Sequence, residues 1–272
     1  MTYRPKLVAL DIDGTILIPH PENGFSDDTV TPAVRAAIDR AYNAGAHIVL
    51  ASGRAPLSMS QVLTHLDMPR EKGTDVLGVA SNGAVTFSFP PLRVVHEITF
   101  DAREAVTAVL EHVPDAAVAV EEHGVGYRVN RHFPEGELDG EMILTPIEEM
   151  IASEVSRVII RDPDATSEDF VQLADKLGLQ GTNYFIGWTA WLDLAPEGVS
   201  KASALADVAR RLGVDREDVL AIGDGRNDIE MLEWAGRGVA MGQAPDEVKE
   251  AADDVTAPVY EDGCAVELDR WF

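Results

Sequence analysis

Residues 6–10, 47–51, 76–80, 219–222 and 238–241 are nearly continuous apolar runs, without the polar alternation of a half-exposed strand. A strand apolar on both faces must be covered on both, which places it inside a parallel sheet. Helical segments lie between these runs. Thr31-Pro32 reads as the N-cap and first residue of a helix, Gly45 as its stop, and Val34, Ala37, Ile38 and Ala41 keep helical spacing. Ser200 opens another helix, running to Leu212 with Gly213 as its stop. Strand and helix in alternation predict an α/β fold: a doubly wound parallel sheet with right-handed crossovers.

The pattern changes after Asn82-Gly83. Residues 85–89 and 93–98 flank Pro90-Pro91 as a hairpin, and residues 116–121 and 126–130 form a second one around Gly124. Helices follow over 102–112 and 167–177, and further strands over 155–161, 184–187 and 191–194. Residues 133–149 give no clear pattern. Hairpins interrupted by helices predict an α+β module with an antiparallel sheet. The expected organisation is therefore a core of residues 1–83 and 196–272 interrupted by an inserted domain at 84–195.

Composition narrows the function classes. The chain has 272 residues, enough to bury about three quarters of its unfolded surface. Its single cysteine, Cys264, excludes an intrachain disulfide and a multi-cysteine zinc site. The formal net charge is −25. Such a surface repels nucleic acid and anionic membranes, so neither is an expected partner. Solubility or the habit of the host proteome accounts for most of that acidity. Before Asp11 the apolar run is only Leu7-Val8-Ala9-Leu10, too short for a signal-peptide core, and the expectation is a cytoplasmic protein of open oligomeric state.

Chemistry-bearing residues gather at the C-terminal ends of the predicted strands, where open α/β sheets place their sites. Asp11 and Asp13 of Asp11-Ile12-Asp13-Gly14-Thr15 stand two residues apart and face one crevice. Their repulsion calls for a cation or a shared proton, unless the segment is only a strand-end turn. Ser52-Gly53-Arg54 reads either as a plain N-cap and turn or as a phosphate site at a helix start. Lys201, in the first turn of its helix, opposes the helix dipole and is either a solvated surface lysine or the partner of an anion. In Gly223-Asp224-Gly225-Arg226-Asn227-Asp228, carboxylates suited to Mg²⁺ follow a strand, and Asp228 also fits a helix N-cap.

Together, the segments at 11–15, 52–54, 201 and 223–228 resemble the four motifs of the haloacid dehalogenase superfamily. The insert resembles, in placement and style, the type II cap of its Cof-like sugar-phosphate phosphatases, and Asn82-Gly83-Ala84 resembles the turn at which that cap departs. The resemblance implies roles. Asp11 is the nucleophile that forms an aspartyl phosphate, and Asp13 protonates the leaving alcohol and then activates water. Lys201 neutralises charge. Ser52, Gly53, Arg54, Asn82 and Asn227 contact substrate. Asp11, the backbone carbonyl of Asp13, Asp224 and Asp228 serve a Mg²⁺ site. Serine stands where threonine is commoner in the second motif, and the loop at 16–29 is longer than usual.

The expected function is a Mg²⁺-dependent phosphatase acting on a small phosphorylated metabolite of the sugar-phosphate kind. Alternatives are a phosphomutase-like transferase of the same fold and a non-catalytic phosphometabolite sensor. The intact Asp11, Asp13, Lys201 and Asp224 set speaks against the sensor. His123, Tyr127, Arg128, Arg131, Trp188 and Trp191 of the insert are candidates for substrate contact, with ordinary packing as the commoner role for each.

Overall fold

The computed structural model describes residues 4–19, 29–68, 71, 74–162, 166, 169, 173, 182–186 and 191–272. The apolar runs become β1 (Leu7–Leu10), β2 (His47–Ala51), β3 (Val76–Ala80), β12 (Val219–Gly223) and β13 (Arg237–Ala240). They are parallel neighbours in an 8-stranded sheet. Alternate residues serve its two faces. Val8, Leu10, Ile48 and Leu50 pack on the side of α1 (Pro32–Asn43), whereas Leu7, Ala9, Val49 and Ala51 pack on the side of α5 (Lys201–Leu212). Both faces are thus covered, as continuous apolar runs require.

The helix boundaries follow local chemistry. Thr31 accepts the amide of Val34, and Pro32 begins α1. Ser200 accepts the amide of Ser203, whose hydroxyl accepts the amide of Ser200 in return. This reciprocal box fixes the first residue of α5, Lys201, and Gly213 ends the helix at φ 68°.

The hairpin at residues 85–98 departs from the expectation. Its strands β4 (Val85–Phe89) and β5 (Arg93–Glu97) extend the first sheet and do not join a separate one. Gly78 of β3 pairs with Phe87 of β4, and a Cβ on Gly78 would lie 2.5 Å from the Phe87 ring. A cross-strand glycine leaves space for the fully buried ring and seats this hairpin on the core. Alternation alone cannot reveal which sheet a hairpin joins.

The remaining insert builds a 6-stranded sheet. Its strands are β6 (Ala117–Glu122), β7 (Gly126–Val129), β8 (Glu141–Leu144), β9 (Val158–Arg161), β10 (Thr182–Ile186) and β11 (Trp191–Pro196). Strand β8 lies in the stretch without a clear pattern; it is an edge strand with Ile143 and Leu144 exposed, so it lacks a buried-face signature. One face of the sheet packs on α3 (Arg103–His112) through Val118, Val158, Ile160 and Leu192. The opposite face, including Ala119, Tyr127, Val129 and Ile159, packs with Ala55 of the first unit. Ala55 directly follows Arg54, so this face meets the rim of the predicted site. Most of the expected helix at 167–177, Trp188 and most of the loop at 16–29 lie outside the described residues. No described helix is long and apolar enough to cross a membrane.

Candidate active site

The predicted stations converge at the C-terminal edge of the parallel strands. Asp11 leaves β1, Asp224 leaves β12, and Lys201 rises from the first turn of α5. Lys201 is fully buried, which excludes its reading as a surface lysine. Its Nζ donates to Asp11 Oδ1 at 2.7 Å and to Asp228 Oδ1 at 2.6 Å. The unfavourable end of the helix dipole is thereby offset by two carboxylates.

Asp228 closes a 3₁₀ turn and does not cap the following helix with its side chain. Its Oδ2 instead reaches back to accept the amides of Asp224 at 3.0 Å and Gly225 at 2.9 Å. One carboxylate therefore orients both Lys201 and the turn that carries Asp224. Asp11, Asp224 and Asp228 each offer an oxygen within 4.8 Å of the others, and all three are buried.

This crowding sets the protonation energetics. Burial, followed by the charge of Asp228, raises the Asp11 carboxyl well above its usual range, with Lys201 opposing. Burial and then Asp228 push Asp224 up to about 7, against the hydrogen bond from Gln243 and the charge of Lys201. For Lys201, burial works against the charge, but Asp11 and Asp228 outweigh it and raise its pKa. Ionising all three buried carboxyls against one ammonium would leave an uncompensated negative charge, which is why burial and Asp228 hold Asp11 and Asp224 toward their neutral forms. That excess, carried on oxygen donors, fits a hard divalent cation.

Asp13 is placed differently. Its side chain is 34% exposed, against 7% for Asp11. The Arg54 guanidinium grips it with a fork, Nε to Oδ2 at 2.8 Å and Nη2 to Oδ1 at 2.7 Å. Arg54, expected to contact substrate, is thus bound to Asp13 at the open side of the site. Asp13's carboxylate stands outside the three-carboxylate cluster.

Ser52 is buried and accepts the Arg54 amide at 3.2 Å, but it does not cap a helix. Helix α2 (Pro56–His65) starts later, because Pro56 holds Ala55 in an extended conformation at ψ 155°. Ser52-Gly53-Arg54 is therefore a strand-to-helix turn, not a helix N-terminus. Beside it, Asn82 sits in the left-handed region at φ 54° and accepts the Asn227 side-chain amide at 2.9 Å.

Two groups of residues escaped the sequence reading. Gln243 donates to Asp224 Oδ2 at 3.1 Å and to the carbonyl of Gly14 at 2.6 Å, while its own carbonyl accepts the amide of Val259 at 2.9 Å. It holds Asp224 against the turn after Asp13. That turn needs glycine: Gly14 has φ +82°, and a Cβ there would fall 2.1 Å from Asp224 Oδ2. The second group, Arg157 just before β9 and Asp193 in β11, forms a buried ion pair, with Asp193 in contact with Asn82. Neither group lies in a motif; only long-range packing brings them to the site.

Several candidate substrate contacts in the insert are engaged elsewhere. His123 bridges Glu121 at 2.9 Å and Glu97 at 2.7 Å, tying the second sheet to β5. Arg128 pairs with Glu122, and exposed Arg131 lies 3.7 Å from Asp115. Tyr127 is buried between the units, and Trp191 packs edge-on against Phe133.

Known proteins resemble this chain over nearly its whole length. A model of the haloacid dehalogenase-like hydrolase family matches residues 8–268. The 5-amino-6-(5-phospho-D-ribitylamino)uracil phosphatase YcsE of Bacillus subtilis is 29% identical, over 98% of this chain and 95% of its own. The HMP-PP phosphatase of Cronobacter sakazakii is 28% identical, over 88% and 85%. Among solved structures, a phosphatase of the haloalkanoate superfamily from Bacteroides thetaiotaomicron superposes with a TM-score of 0.77 at 29% identity, covering 99% of this chain and 96% of its own. A subclass IIB sugar phosphatase gives 0.77 at 25% identity, covering 97% and 98%.

Proposed function

The chain belongs to the haloacid dehalogenase-like hydrolases as a phosphatase of the Cof-like type, and from that premise we propose that it hydrolyses a small phosphorylated metabolite, a sugar phosphate foremost, through an aspartyl phosphate on Asp11. The carrying observation is Lys201 Nζ, fully buried and held between Asp11 and Asp228. A buried ammonium on a carboxylate that must approach a phosphate anion offsets their repulsion and that of the accumulating charge. Two of the relatives, one named for a phosphoribitylamino uracil and one as a sugar phosphatase, support this substrate class.

The two aspartates divide the chemistry by exposure. Asp11, buried and oriented by Lys201, attacks phosphorus. Asp13, open on one side and fixed by Arg54, exchanges a proton with the leaving alcohol and then with the incoming water. Ser52, the backbone of Gly53, Asn82 and Asn227 are the groups assigned to the phosphoryl oxygens. Residues 84–195 act as a cap in this reading, its hairpin seated on the core sheet and its second sheet covering the site from the side of Ala55.

Mg²⁺ is the proposed cation, held by the Asp11, Asp224 and Asp228 cluster and the Asp13 carbonyl. When bound, it supplies positive charge that lets an anionic ester approach an acidic protein. Purified protein should release phosphate from p-nitrophenyl phosphate and from members of a sugar-phosphate panel with Mg²⁺, and lose that activity with EDTA. Phosphate-ester binding without turnover across the panel would select the sensor reading instead.

Two further outcomes follow from the carboxylate cluster. Folded-state pKa values of Asp11 and Asp224 lie above their unfolded values, so the stability linked to these groups is full below about pH 3.8 and is lost as pH rises through about 7 for Asp224. Metal-free protein should lose on the order of a few kcal/mol between about pH 5 and pH 8, at roughly 2–4 °C of Tm per kcal/mol. Mg²⁺ should restore more stability at the higher pH. A metal-free Tm independent of pH, and equal Mg²⁺ stabilisation at both, would contradict the cluster's energetics. Gln243→Leu removes a donor from Asp224 and should weaken Mg²⁺ binding about tenfold or more by calorimetry. Unchanged affinity would mean that Asp224 needs no such support.

A further inference from the structure

We propose that Asp193 is a positioning residue for hydrolysis, transmitting the seat of the second sheet to the Asn82–Asn227 pair beside the phosphate-binding turn. The proposal rests on the phosphatase reading above, and Asp193 and Arg157 lie outside the family-like motifs.

Asp193 lies in β11, opposite Ile159 of β9, and is 7% exposed. Its carboxylate is an acceptor hub. Oδ1 accepts from Arg157 Nε at 3.2 Å, Arg157 Nη2 at 3.0 Å and Trp191 Nε1 at 2.9 Å. Oδ2 accepts from Arg157 Nη2 at 2.8 Å and from Asn82 Nδ2 at 3.2 Å. A buried ion pair is poor evidence of stabilisation, since apolar residues of the same volume do as well or better. What this pair does provide is direction. Its only hydrogen bond in the described residues to the first unit goes to Asn82.

Asn82 could present its side-chain amide in either of two orientations. An ionised carboxylate accepts and never donates, so it selects the orientation with Nδ2 toward Asp193. The Asn82 oxygen then faces the other way, where Asn227 Nδ2 donates to it at 2.9 Å. The same oxygen lies 3.1 Å from where a Cβ of Gly53 would be, so it flanks the turn that takes the phosphoryl group. Donors and acceptors thus run in one sense, from Asn227 to Asn82 to Asp193, with Arg157 closing the chain. Asp193 belongs to the second sheet and Arg157 directly precedes its strand β9, whereas Asn82 and Asn227 belong to the first unit. The chain is complete only while the two units sit as they do here.

Asp193→Asn tests this at nearly constant volume. Three donors converge on Oδ1, so the new amide keeps its oxygen there and turns its NH₂ toward Asn82, giving up the Arg157 Nη2 bond to Oδ2, a loss that is the same in the Asn82→Ala background. Asn82 must then reverse, so the Asn227 Nδ2–Asn82 Oδ1 bond is lost and the amide oxygen beside Gly53 is replaced by an NH₂. We expect kcat for p-nitrophenyl phosphate to fall about tenfold, the equivalent of one oriented hydrogen bond, with KM little changed. In an Asn82→Ala background the same substitution should cause no further loss, because the group through which it acts is gone. Tm is measured for every variant. If Asp193→Asn does not fold, Arg157→Lys, which keeps the charge and loses the fork, takes its place with the same expected non-additivity. Unchanged kcat, or equal losses with and without Asn82, overturns the proposal. Failure of the unmutated protein to hydrolyse any phosphomonoester is a different result and overturns the phosphatase reading.

Discussion

Asp11→Asn is expected to lower kcat by about 10⁴-fold or more while leaving the protein folded. The amide cannot attack phosphorus, so the loss concerns chemistry and should appear in kcat with every ester tested. Stability provides the control. Asp11 sits in a cluster where burial and the charge of Asp228 disfavour its ionised form. Removing that charge relieves repulsion among the carboxylates as it removes one of the two partners of Lys201, which keeps Asp228 at 2.6 Å. Tm measured without metal should therefore change little or rise. A variant that keeps more than about one hundredth of the activity would leave Asp11 a metal ligand or a binding group and not the nucleophile.

Lys201→Met should be the most damaging substitution for the fold and nearly as damaging for turnover. It strips the only lysine or arginine hydrogen-bonded to Asp11 and Asp228 among the described residues, leaving three acidic side chains within 4.8 Å of one another. Breaking a buried pair in this way costs about 3–5 kcal/mol, or about 10 °C in a chain this long. The sign with pH is fixed by the carboxylates. Their repulsion grows as they ionise, so the deficit relative to the unmutated protein should widen from acid to neutral pH and shrink when Mg²⁺ is added. Turnover should fall about 10³-fold even with saturating Mg²⁺, because phosphoryl charge near Asp11 loses its fixed counter-charge. Thermal denaturation across pH, with and without Mg²⁺, checks the first part, and steady-state kinetics the second. A Tm within a degree or two of the unmutated protein at neutral pH, without metal, would mean that the cluster is not ionised as described.

The parts legible in the sequence are those that local chemistry dictates. Apolar runs on both faces, such as residues 47–51, announced central parallel strands. Thr31-Pro32 and Ser200 marked helix starts that the structure reproduces with their hydrogen bonds. Lys201 was conspicuous because a cation in a first helical turn is electrostatically misplaced, and its two carboxylate partners resolve that conflict. What escaped was non-local. Nothing near Gln243 signals that its amide spans Asp224, Gly14 and Val259, since these contacts join three separate segments. The residues of the Arg157–Asp193 pair lie 36 positions apart in the chain and look, position by position, like two surface charges. Residues 85–98 read as a hairpin from sequence, but the sheet they join does not show there, because the fit of Phe87 over Gly78 exists only in the pairing. The start of α2 was misplaced because Ser52-Gly53 suggested a cap, whereas the Ala55-Pro56 step governs where helical geometry begins.

The most direct test is to place the phosphoryl group. Protein mixed with excess substrate and Mg²⁺ is quenched in acid within the first turnover, digested and mapped by mass spectrometry. The predicted result is a single phosphorylated peptide carrying the group on Asp11, labile to hydroxylamine as an acyl phosphate must be, and absent from Asp11→Asn. A phosphoryl group found on any other side chain, or full turnover with none on the protein at any quench time, would contradict Asp11 as the nucleophile.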